Sequence, residues 1–262
     1  MILKYNYWYF VSAIPEYICD QIVEMGLRKM YEEREKFGDA VVAGTTGGWR
    51  HKQPGKSTTA ANHETTANLI KSGVDINEIY LRDSSVTFLN DPNLYDLIWP
   101  FIKAANTKAG WNFEWDYTED MQFTKYGVDQ FYGWHADSSE LPYREFDPKV
   151  DHLRKNIDGS LYINHFGEST PDDHHATLNP NMIGKIRKLS VTVSLNNPSE
   201  YEGGNLQFDL GPHRPDQYHT CHEIRPKGSV IVFPSHVHHQ VTPVTNGTRY
   251  SLVCWSLGAP FK

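Results

Sequence analysis

Two kinds of spacing between apolar residues divide the chain. In the first half, apolar residues recur every third or fourth position after Pro15, which predicts a core-facing helix that runs to about residue 36. A second helix is predicted to begin at Asp91 and Pro92, which suit the N-cap and the first helical position, and to end at Gly110. The aromatic segment before the first helix predicts an opening strand.

The second half of the chain consists of short apolar runs, bounded by Gly, Pro, Asn and Asp, of the kind that form strands. One similar run lies earlier, between the two predicted helices. The pattern predicts strands at residues 82–89, 113–117, 121–126, 189–196, 205–209, 229–234 and 249–256. We therefore expect a mainly β fold with flanking helices.

Two polar segments interrupt this pattern. Residues 38–73 are rich in Gly, Thr and Ser, which predicts long loops with one short helical turn. Residues 138–187 contain several metal-binding residue types without a fixed ligand spacing: His152, His165, Asp172, Asp173, His174 and His175. A solvated insertion or lid is favoured there over a second metal site.

Composition narrows the class of protein. The length of 262 residues is compatible with one domain over residues 1–262, and the aromatic content of 13% suits β structure. The net charge of -7 offers no long-range attraction to phosphate backbones, so nucleic acid is a disfavoured partner. No run approaches the roughly 18 apolar residues of a membrane span.

Cysteine content and the N-terminal segment predict a compartment. The three cysteines, Cys19, Cys221 and Cys254, are widely spaced and suggest neither a disulfide framework nor a thiolate metal site. The apolar N-terminal stretch is short and interrupted by Lys4 and Asn6, which argues against an export signal. A reducing, cytoplasmic location is expected.

His135 and Asp137 form a His-x-Asp motif on a turn that follows an apparent strand. Residues spaced i and i+2 on extended chain project to the same side, so an imidazole and a carboxylate can reach one metal ion. The motif alone is equally typical of a surface pair or of a buried histidine satisfied by hydrogen bonds. It points to a metal only if a third ligand exists.

A second segment, residues 228–251, supplies histidines and an arginine. One predicted strand rises to a turn that carries His236, His238 and His239, and another returns with Arg249 in an otherwise apolar run. Spacing places His238 on the opposite side from His239. A guanidinium that points into a barrel needs an anion, since a buried unpaired charge is costly; that anion is either an acidic residue of the same chain or a ligand.

Two histidines and one carboxylate make the facial triad that binds Fe(II) and leaves positions open, and the arginine offers a planar fork for a second carboxylate. With these residues the chain resembles the prolyl-4-hydroxylase-like branch of the iron(II)/2-oxoglutarate dioxygenases, especially the PKHD-type hydroxylases. The resemblance covers residues 121–137 and 187–257. It rests on Tyr126, on His135-Ala136-Asp137, on LSVTVSLNNPSEYEGGNL at residues 189–206, and on HQVTPVTNGTR at residues 239–249.

The resemblance implies a fold and a site. The fold would be α+β: a double-stranded β-helix, or jelly-roll, core at residues 121–257 with an insertion at 138–187, supported by helices and a strand in residues 1–120 that pack outside it. The implied roles are metal ligand and catalytic residue for His135, Asp137 and His239, clamp of the co-substrate C5 carboxylate for Arg249 with help from Ser251, and site lining near the co-substrate for Tyr126. Gly203 and Gly204 match the family's turn between strands.

The resemblance also implies cofactors and a reaction. Fe(II), 2-oxoglutarate and O2 are expected, and ascorbate is a further candidate cofactor. The products of co-substrate turnover would be succinate and carbon dioxide, and the oxidised group an unactivated C–H bond. A prolyl or other peptidyl side chain is the first candidate substrate, with a small molecule as the alternative.

Three other interpretations use the same residues. A non-catalytic β-helix binding module would keep the fold without turnover, but it would not need the intact triad. A zinc hydrolase accepts the same ligands, but it has no use for Arg249. A nucleic-acid demethylating oxygenase is disfavoured by charge. The aromatic residues that flank the motifs, Tyr132, Trp134 and Trp255, suit either a substrate channel or the core, and the core is favoured.

Overall fold

Two antiparallel sheets make up most of the structure. It is a computed structural model that describes residues 4–37, 48–49, 80–138, 141–149, 153–155, 161–163, 176–211 and 218–261. The larger sheet contains, in spatial order, β1 (Trp8–Phe10), β16 (Val230–Pro234), β12 (Ile186–Ser194), β19 (Arg249–Gly258), β6 (Met121–Tyr126) and β4 (Ser85–Leu89), and β5 (Tyr117–Thr118) also pairs with β19.

The second sheet contains six strands. Their spatial order is β15 (His219–Thr220), β14 (Leu206–Phe208), β17 (His239–Val241), β7 (Phe131–His135), β3 (Tyr80–Asp83) and β2 (Gly48–Trp49). Three two-stranded pairs complete the described strands: β9 (Leu153–Lys155) with β10 (Leu161–Ile163), β8 (Arg144–Glu145) with β11 (Ala176–Thr177), and β13 (Tyr201–Gly203) with β18 (Val244–Gly247).

Both predicted helices are present, and their bounds agree with the sequence pattern. Helix α1 spans Glu16–Phe37 and helix α2 spans Pro92–Lys108. The Asp91 carboxylate caps α2 by accepting a hydrogen bond from the backbone N–H of Asn93 at 2.9 Å. Gly110, with φ of 72°, ends it as expected. In the described ranges no helix is long and apolar enough to cross a membrane.

The helices cover one face of the seven-stranded sheet. Their buried residues share one hydrophobic core with alternate residues of the sheet, including Phe123 on β6 and Leu252 and Cys254 on β19. The intervening residues of β19 face a cavity between the two sheets. The strand period of two therefore sends apolar side chains to the helices and a different set to the cavity.

The predicted strand at residues 82–89 is wrong in one respect, because it is two strands. The chain leaves the six-stranded sheet at Asp83, crosses at Ser84, and enters the seven-stranded sheet at Ser85. Ser84 is fully buried, and its hydroxyl accepts a hydrogen bond from Nε of Arg82 at 2.7 Å. No break in the sequence pattern marks this crossing, so the division into two strands was not predicted.

The predicted strand at residues 113–117 is also mostly wrong. Only Tyr117 belongs to a strand, β5. Side-chain hydrogen bonds tie the backbone of Phe113 to helix α2, because the Asn106 amide accepts from the Phe113 N–H and donates to its carbonyl, both at 2.9 Å. These bonds replace the pairing that a strand would need.

The remaining predicted strands are present with small shifts in their ends, and several short strands were not predicted. Two of those carry the site motifs, since His135 ends β7 and His239 begins β17 instead of lying on turns. The insertion predicted at 138–187 ends earlier, because β12 begins at Ile186.

The predicted helical turn within 38–73 and the His and Asp cluster of the insertion lie outside the described residues, and the single-domain organisation stays a prediction.

Gly26 in α1 yields a test of helix-on-sheet packing. A Cβ at this position would lie 2.3 Å from the Phe123 ring, which is fully buried. Gly26→Ala should lower the free energy of unfolding by about 1–3 kcal/mol through overpacking, although alanine normally stabilises a helix by about 1 kcal/mol relative to glycine. Chemical denaturation measures the change, with Glu24→Ala on the exposed face of α1 as control. A stabilised Gly26→Ala protein would contradict this packing.

Candidate active site

His135 and Asp137 lie at the end of β7, on its cavity side. Strand β7 alternates buried and half-buried residues, and His135 is its last member. The next turn is fixed to the neighbouring chain, because the Ser235 carbonyl accepts hydrogen bonds from the N–H groups of Asp137 and Ser138, both at 2.9 Å. The i, i+2 spacing therefore places both side chains next to each other on the cavity side of β7.

His239 completes the group from the adjacent strand. It pairs with His135 across β17 and β7, and the two ring centroids are 4.2 Å apart. Nε2 of His135 lies 3.5 Å from one carboxylate oxygen of Asp137, and Nε2 of His239 lies 3.6 Å from the other. The candidate ligand atoms of the three residues are all within 4.8 Å of one another.

Backbone carbonyls orient both imidazoles. Nδ1 of His135 is 2.7 Å from the Gly133 carbonyl oxygen, and Nδ1 of His239 is 3.0 Å from that of Val237. Since a carbonyl oxygen only accepts, Nδ1 carries the proton in each neutral ring and Nε2 presents its lone pair to the centre. Burial, with His135 close by, lowers the pKa of His239 to about 4, which keeps that ring neutral at pH 7.

Asp137 is held as an ionised, hydrogen-bonded carboxylate. Burial alone would raise its pKa, but His239, His135 and Arg187 outweigh that effect, so its pKa lies well below the usual range. The fully buried Ser190 hydroxyl donates to Asp137 Oδ2 at 2.7 Å and lies 2.9 Å from the Ser235 hydroxyl. This contact fixes the carboxylate that faces both imidazoles.

The other two histidines of the segment do not reach this centre. His236 is exposed and lies near Phe261. His238 is half-buried and stacks with Trp134 at 6.1 Å, on the opposite side of the chain from His239. The geometry therefore selects His239 among the three candidates.

Arg249 is buried, with 3% of its surface exposed, at the start of β19. Its Nη1 donates to the Ser251 hydroxyl at 3.3 Å, and its guanidinium carbon lies 5.3 Å from the centroid of the Tyr126 ring. Within the described ranges it forms no ion pair with an acidic residue, so the anion that the sequence pattern required is not found in the protein there. Gly204, at φ of 56°, allows the close approach, because a Cβ there would lie 2.9 Å from Cδ of Arg249.

One cavity between the sheets joins these groups. Its wall includes the triad, Arg249, Ser251 and Tyr126 together with Gln122, Tyr132, Val191, Thr192, Leu206, Phe233, Val241, Val253 and Trp255. Tyr132 and Trp255 thus line the cavity as well as being largely buried. Trp134 is not in its wall and packs 4.4 Å from Tyr218.

Two contributors to the site were not predicted. Ser190 could have been noticed, because polar residues alternate with apolar ones at positions 190, 192 and 194 of a buried strand. Arg187 fell inside the predicted insertion, and no pattern marked it. Its guanidinium pairs with both carboxylate oxygens of Glu119 at 2.6 and 2.7 Å and lies 4.0 Å from the Trp255 ring.

The residues present fit an iron ion and a dicarboxylate. Two neutral imidazole nitrogens and one carboxylate, clustered and largely buried, form the donor set that suits Fe(II) in a facial triad. Among the described residues the buried guanidinium in the same cavity has no acidic partner, so it can form a bidentate pair with the carboxylate of a ligand. Fold and site together define the class of facial-triad enzymes built between two antiparallel sheets.

Comparison with known proteins agrees with this class. The model of the 2OG-Fe(II) oxygenase superfamily matches residues 121–257, more than half of the chain. The protein therefore belongs to the 2OG-Fe(II) oxygenase superfamily, as the sequence motifs predicted.

Curated relatives are similar over part of their length. A PKHD-type hydroxylase of Xylella fastidiosa is 32% identical over 122 residues, which are 45% of this chain and 47% of the relative. A PKHD-type hydroxylase of Paraburkholderia xenovorans is 31% identical over 118 residues, 45% of each chain. The matched region spans about half the length of these relatives.

Solved structures share the fold over nearly the whole chain. The viral collagen prolyl hydroxylase of Paramecium Bursaria Chlorella virus-1, in its 2OG complex, gives a TM-score of 0.51 at 13% identity and 98% coverage of both chains. A prolyl-4-hydroxylase of Pseudomonas putida gives 0.51 at 14% identity, with 97% of this chain and 92% of that chain covered. The predicted double-stranded β-helix is confirmed.

Ser190 allows a test of how Asp137 is held. Ser190→Ala removes the hydrogen bond to Oδ2 without adding bulk, and it should weaken Fe(II) or Mn(II) binding about 10-fold or more, as loss of a contact to a metal ligand commonly does. Ser256→Ala is a matched control, because Ser256 is also fully buried and its hydroxyl has no hydrogen-bond partner in the part of the chain that the structure describes. Equal metal dissociation constants in both variants, measured calorimetrically, would refute a role for Ser190.

Proposed function

We propose that the protein is an Fe(II)- and 2-oxoglutarate-dependent dioxygenase that hydroxylates an unactivated C–H bond. The observation that carries the proposal is the pairing, in one cavity, of a His-Asp-His cluster with a buried arginine that has no ion-pair partner among the described residues. A metal-binding structural site would not need the arginine. A dicarboxylate co-substrate that binds the metal at one end accounts for the presence of the His-Asp-His cluster and the buried arginine in one cavity.

In this proposal each residue has a defined task. Nε2 of His135, Nε2 of His239 and a carboxylate oxygen of Asp137 hold the metal, and Arg249 with Ser251 binds the distal carboxylate of 2-oxoglutarate. Tyr126 lines the cavity beside Arg249, and its ring excludes water from that ion pair, which strengthens it in a medium of low dielectric. Bound iron supplies the oxidising chemistry, with O2 as oxidant and succinate and carbon dioxide as co-products.

For the primary substrate we propose a prolyl or other peptidyl side chain. Support comes from the relatives, which carry the names PKHD-type hydroxylase, collagen prolyl hydroxylase and prolyl-4-hydroxylase. A small molecule is the alternative, and ascorbate is proposed as a reductant that keeps the metal in its ferrous form. The buried walls of the cavity would keep water away from the reacting groups.

The rival functions account for less of the site. A zinc hydrolase would use the triad but leave Arg249 as a buried, uncompensated charge. A binding module would need neither the oriented imidazoles nor the hydrogen bond from Ser190 to Asp137. Nucleic-acid demethylation is disfavoured by the net charge of -7.

The first test is an anaerobic titration. Metal-stripped protein receives Fe(II) and then 2-oxoglutarate, while the visible metal-to-ligand charge-transfer band is recorded. Wild type should develop the band and Asp137→Ala should not, because it lacks the carboxylate ligand. Arg249→Gln should raise the dissociation constant of 2-oxoglutarate about 100-fold or more, the usual cost of breaking a buried ion pair.

A matched control keeps this test specific. Arg225→Gln changes an arginine outside the cavity whose guanidinium donates to backbone carbonyls, including that of Gly203 at 2.8 Å, and it should titrate like wild type once its folding is verified by circular dichroism. Folded, metal-loaded wild type without a band would refute the dioxygenase proposal and favour the zinc or binding-module alternative.

A further inference from the structure

A second cavity, of about 800 Å³, lies between helix α2 and residues 113–120, and it shares no wall residue with the active-site cavity. Five aromatic side chains line this aromatic groove: Tyr95, Trp99, Phe113, Trp115 and Tyr117. Phe113 is buried, whereas the other four rings are half-buried and partly open to solvent. The dioxygenase function proposed above does not use this groove.

Both sides of the aromatic groove are fixed by the fold. The backbone N–H groups of Asp116 and Glu119 donate to carbonyls of β19 at 2.9 and 3.0 Å, which ties this side to the seven-stranded sheet. On the other side, Asn106 of α2 holds the backbone of Phe113 through two hydrogen bonds. A groove that is already ordered loses little conformational entropy when a ligand binds.

The polar ends of two rings already form hydrogen bonds within the protein. The Trp99 indole N–H donates to the Thr118 hydroxyl at 3.1 Å, and the Tyr95 hydroxyl donates to Oδ1 of Asp120 at 3.3 Å. These residues therefore present aromatic faces to the groove instead of free donors. The carbonyl groups of an extended peptide would find no donor on them, whereas a cation is attracted to the faces.

The charge of the groove wall is negative. It contains three carboxylates, those of Glu114, Asp116 and Asp120, and one ammonium group, that of Lys103. Oδ1 of Asp120 accepts from two neutral side chains, at 3.0 and 3.3 Å. Neither Asp120 nor Glu114 has an ion-pair partner in the part of the chain that the structure describes. The wall can therefore accept a further positive charge.

One lysine of the protein already uses this wall. Nζ of Lys185 lies 2.8 Å from Oδ1 of Asp116 and 5.7 Å from the centroid of the Tyr117 ring. A carboxylate and an aromatic face together hold its ammonium group. The wall is thus suited to the side chain of a lysine.

The same combination occurs elsewhere in the groove, where it is not used. The ring centroids of Tyr95 and Trp99 are 5.8 Å apart with 49° between the planes, and those of Trp99 and Trp115 are 6.5 Å apart with 55°. Rings inclined in this way form the walls of a cage for an ammonium group. Asp120 adds a carboxylate next to Tyr95, and among the described residues no lysine or arginine lies over these three rings.

We propose that the aromatic groove binds a lysine side chain of a partner peptide, with the ammonium group among Tyr95, Trp99 and Trp115 and beside the carboxylate of Asp120. The occupant is a peptide, because a groove of about 800 Å³ also has room for the chain on either side of that lysine. The site is separate from the active-site cavity and does not depend on the dioxygenase function.

Protein that carries 5-fluorotryptophan tests this in solution, because two of the seven tryptophans line the groove. The full chain is titrated with acetyl-Gly-Lys-Gly-Lys-Gly-amide and, separately, with the same peptide that carries neutral Nε-acetyl-lysine. Tryptophan-to-phenylalanine variants assign the ¹⁹F resonances. The lysine peptide should shift those of Trp99 and Trp115, leave that of Trp255 in the active-site cavity unchanged, and bind about 5-fold or more tightly than the neutral peptide.

Matched variants assign the binding to the groove. Asp120→Asn should weaken binding of the lysine peptide about threefold, whereas Asp96→Asn, the same change on the exposed face of α2 outside the groove, should bind like wild type. Trp115→Leu keeps an apolar side chain without an aromatic face and should also weaken binding, with Tyr31→Leu on the exposed face of α1 as control. Circular dichroism verifies the folding of each variant.

Four results would overturn the proposal. The first is equal affinity for the two peptides, or no shift of Trp99 and Trp115 by either. The second is a shift of Trp255 alone, which would place the peptide in the active-site cavity. The third is an equal loss of affinity in Asp96→Asn, which would indicate general attraction to the net charge of -7. The fourth is tighter binding at Trp99 and Trp115 of acetyl-Gly-Pro-Pro-Gly-Pro-Pro-Gly-amide, which would assign the groove to proline-rich peptides.

Discussion

The seven-stranded sheet must bury both of its faces, and each face needs a different chemistry. One face packs under two helices with mostly apolar side chains, while the other forms a wall of the cavity. Strand β19 meets both demands, because Leu252 and Cys254 join the core and Arg249 and Ser251 face the cavity. A shift of one residue in its register would exchange the two sets and place a guanidinium under a helix.

The polar groups of the cavity differ in how far the protein itself supplies their hydrogen-bond partners. Backbone carbonyls hold His135 and His239 through Nδ1, and Ser190 holds Asp137 through Oδ2, so the positions of the three side chains do not require a bound ion. Arg249 is different, since the only hydrogen bond in its described surroundings is with Ser251. The protein thus supports the proposed metal ligands with its own groups and leaves Arg249 to be paired by a ligand.

Similarity to other members of the superfamily is distributed unevenly over the chain. The family model covers residues 121–257, which contain the proposed metal ligands, Arg249 and the strands that carry them, whereas the fold is shared over 98% of the chain at 13% identity. The helical layer needs only apolar residues of suitable size, a condition that many sequences meet. The cavity face needs particular atoms at particular places, so its residue types are restricted.

Much of the site could be predicted because it depends on local spacing. The His-x-Asp motif, the alternation that separates His238 from His239, and the position of an arginine inside an apolar strand are all properties of neighbouring residues on extended chain. The capped start of α2 at Asp91 and its end at Gly110 are local in the same sense.

What the tertiary structure alone decided depends on residues distant in the chain. The sequence pattern could not show that residues 82–89 divide between two sheets. Nor could it show that Asn106 hydrogen-bonds to Phe113 in place of strand pairing, or that Arg187 packs against the Trp255 ring. It showed that Arg249 needs an anion but left the source open, because an acidic partner could come from any other segment. Long-range packing determined these points, since the partner of a buried charge is set by which strands become neighbours.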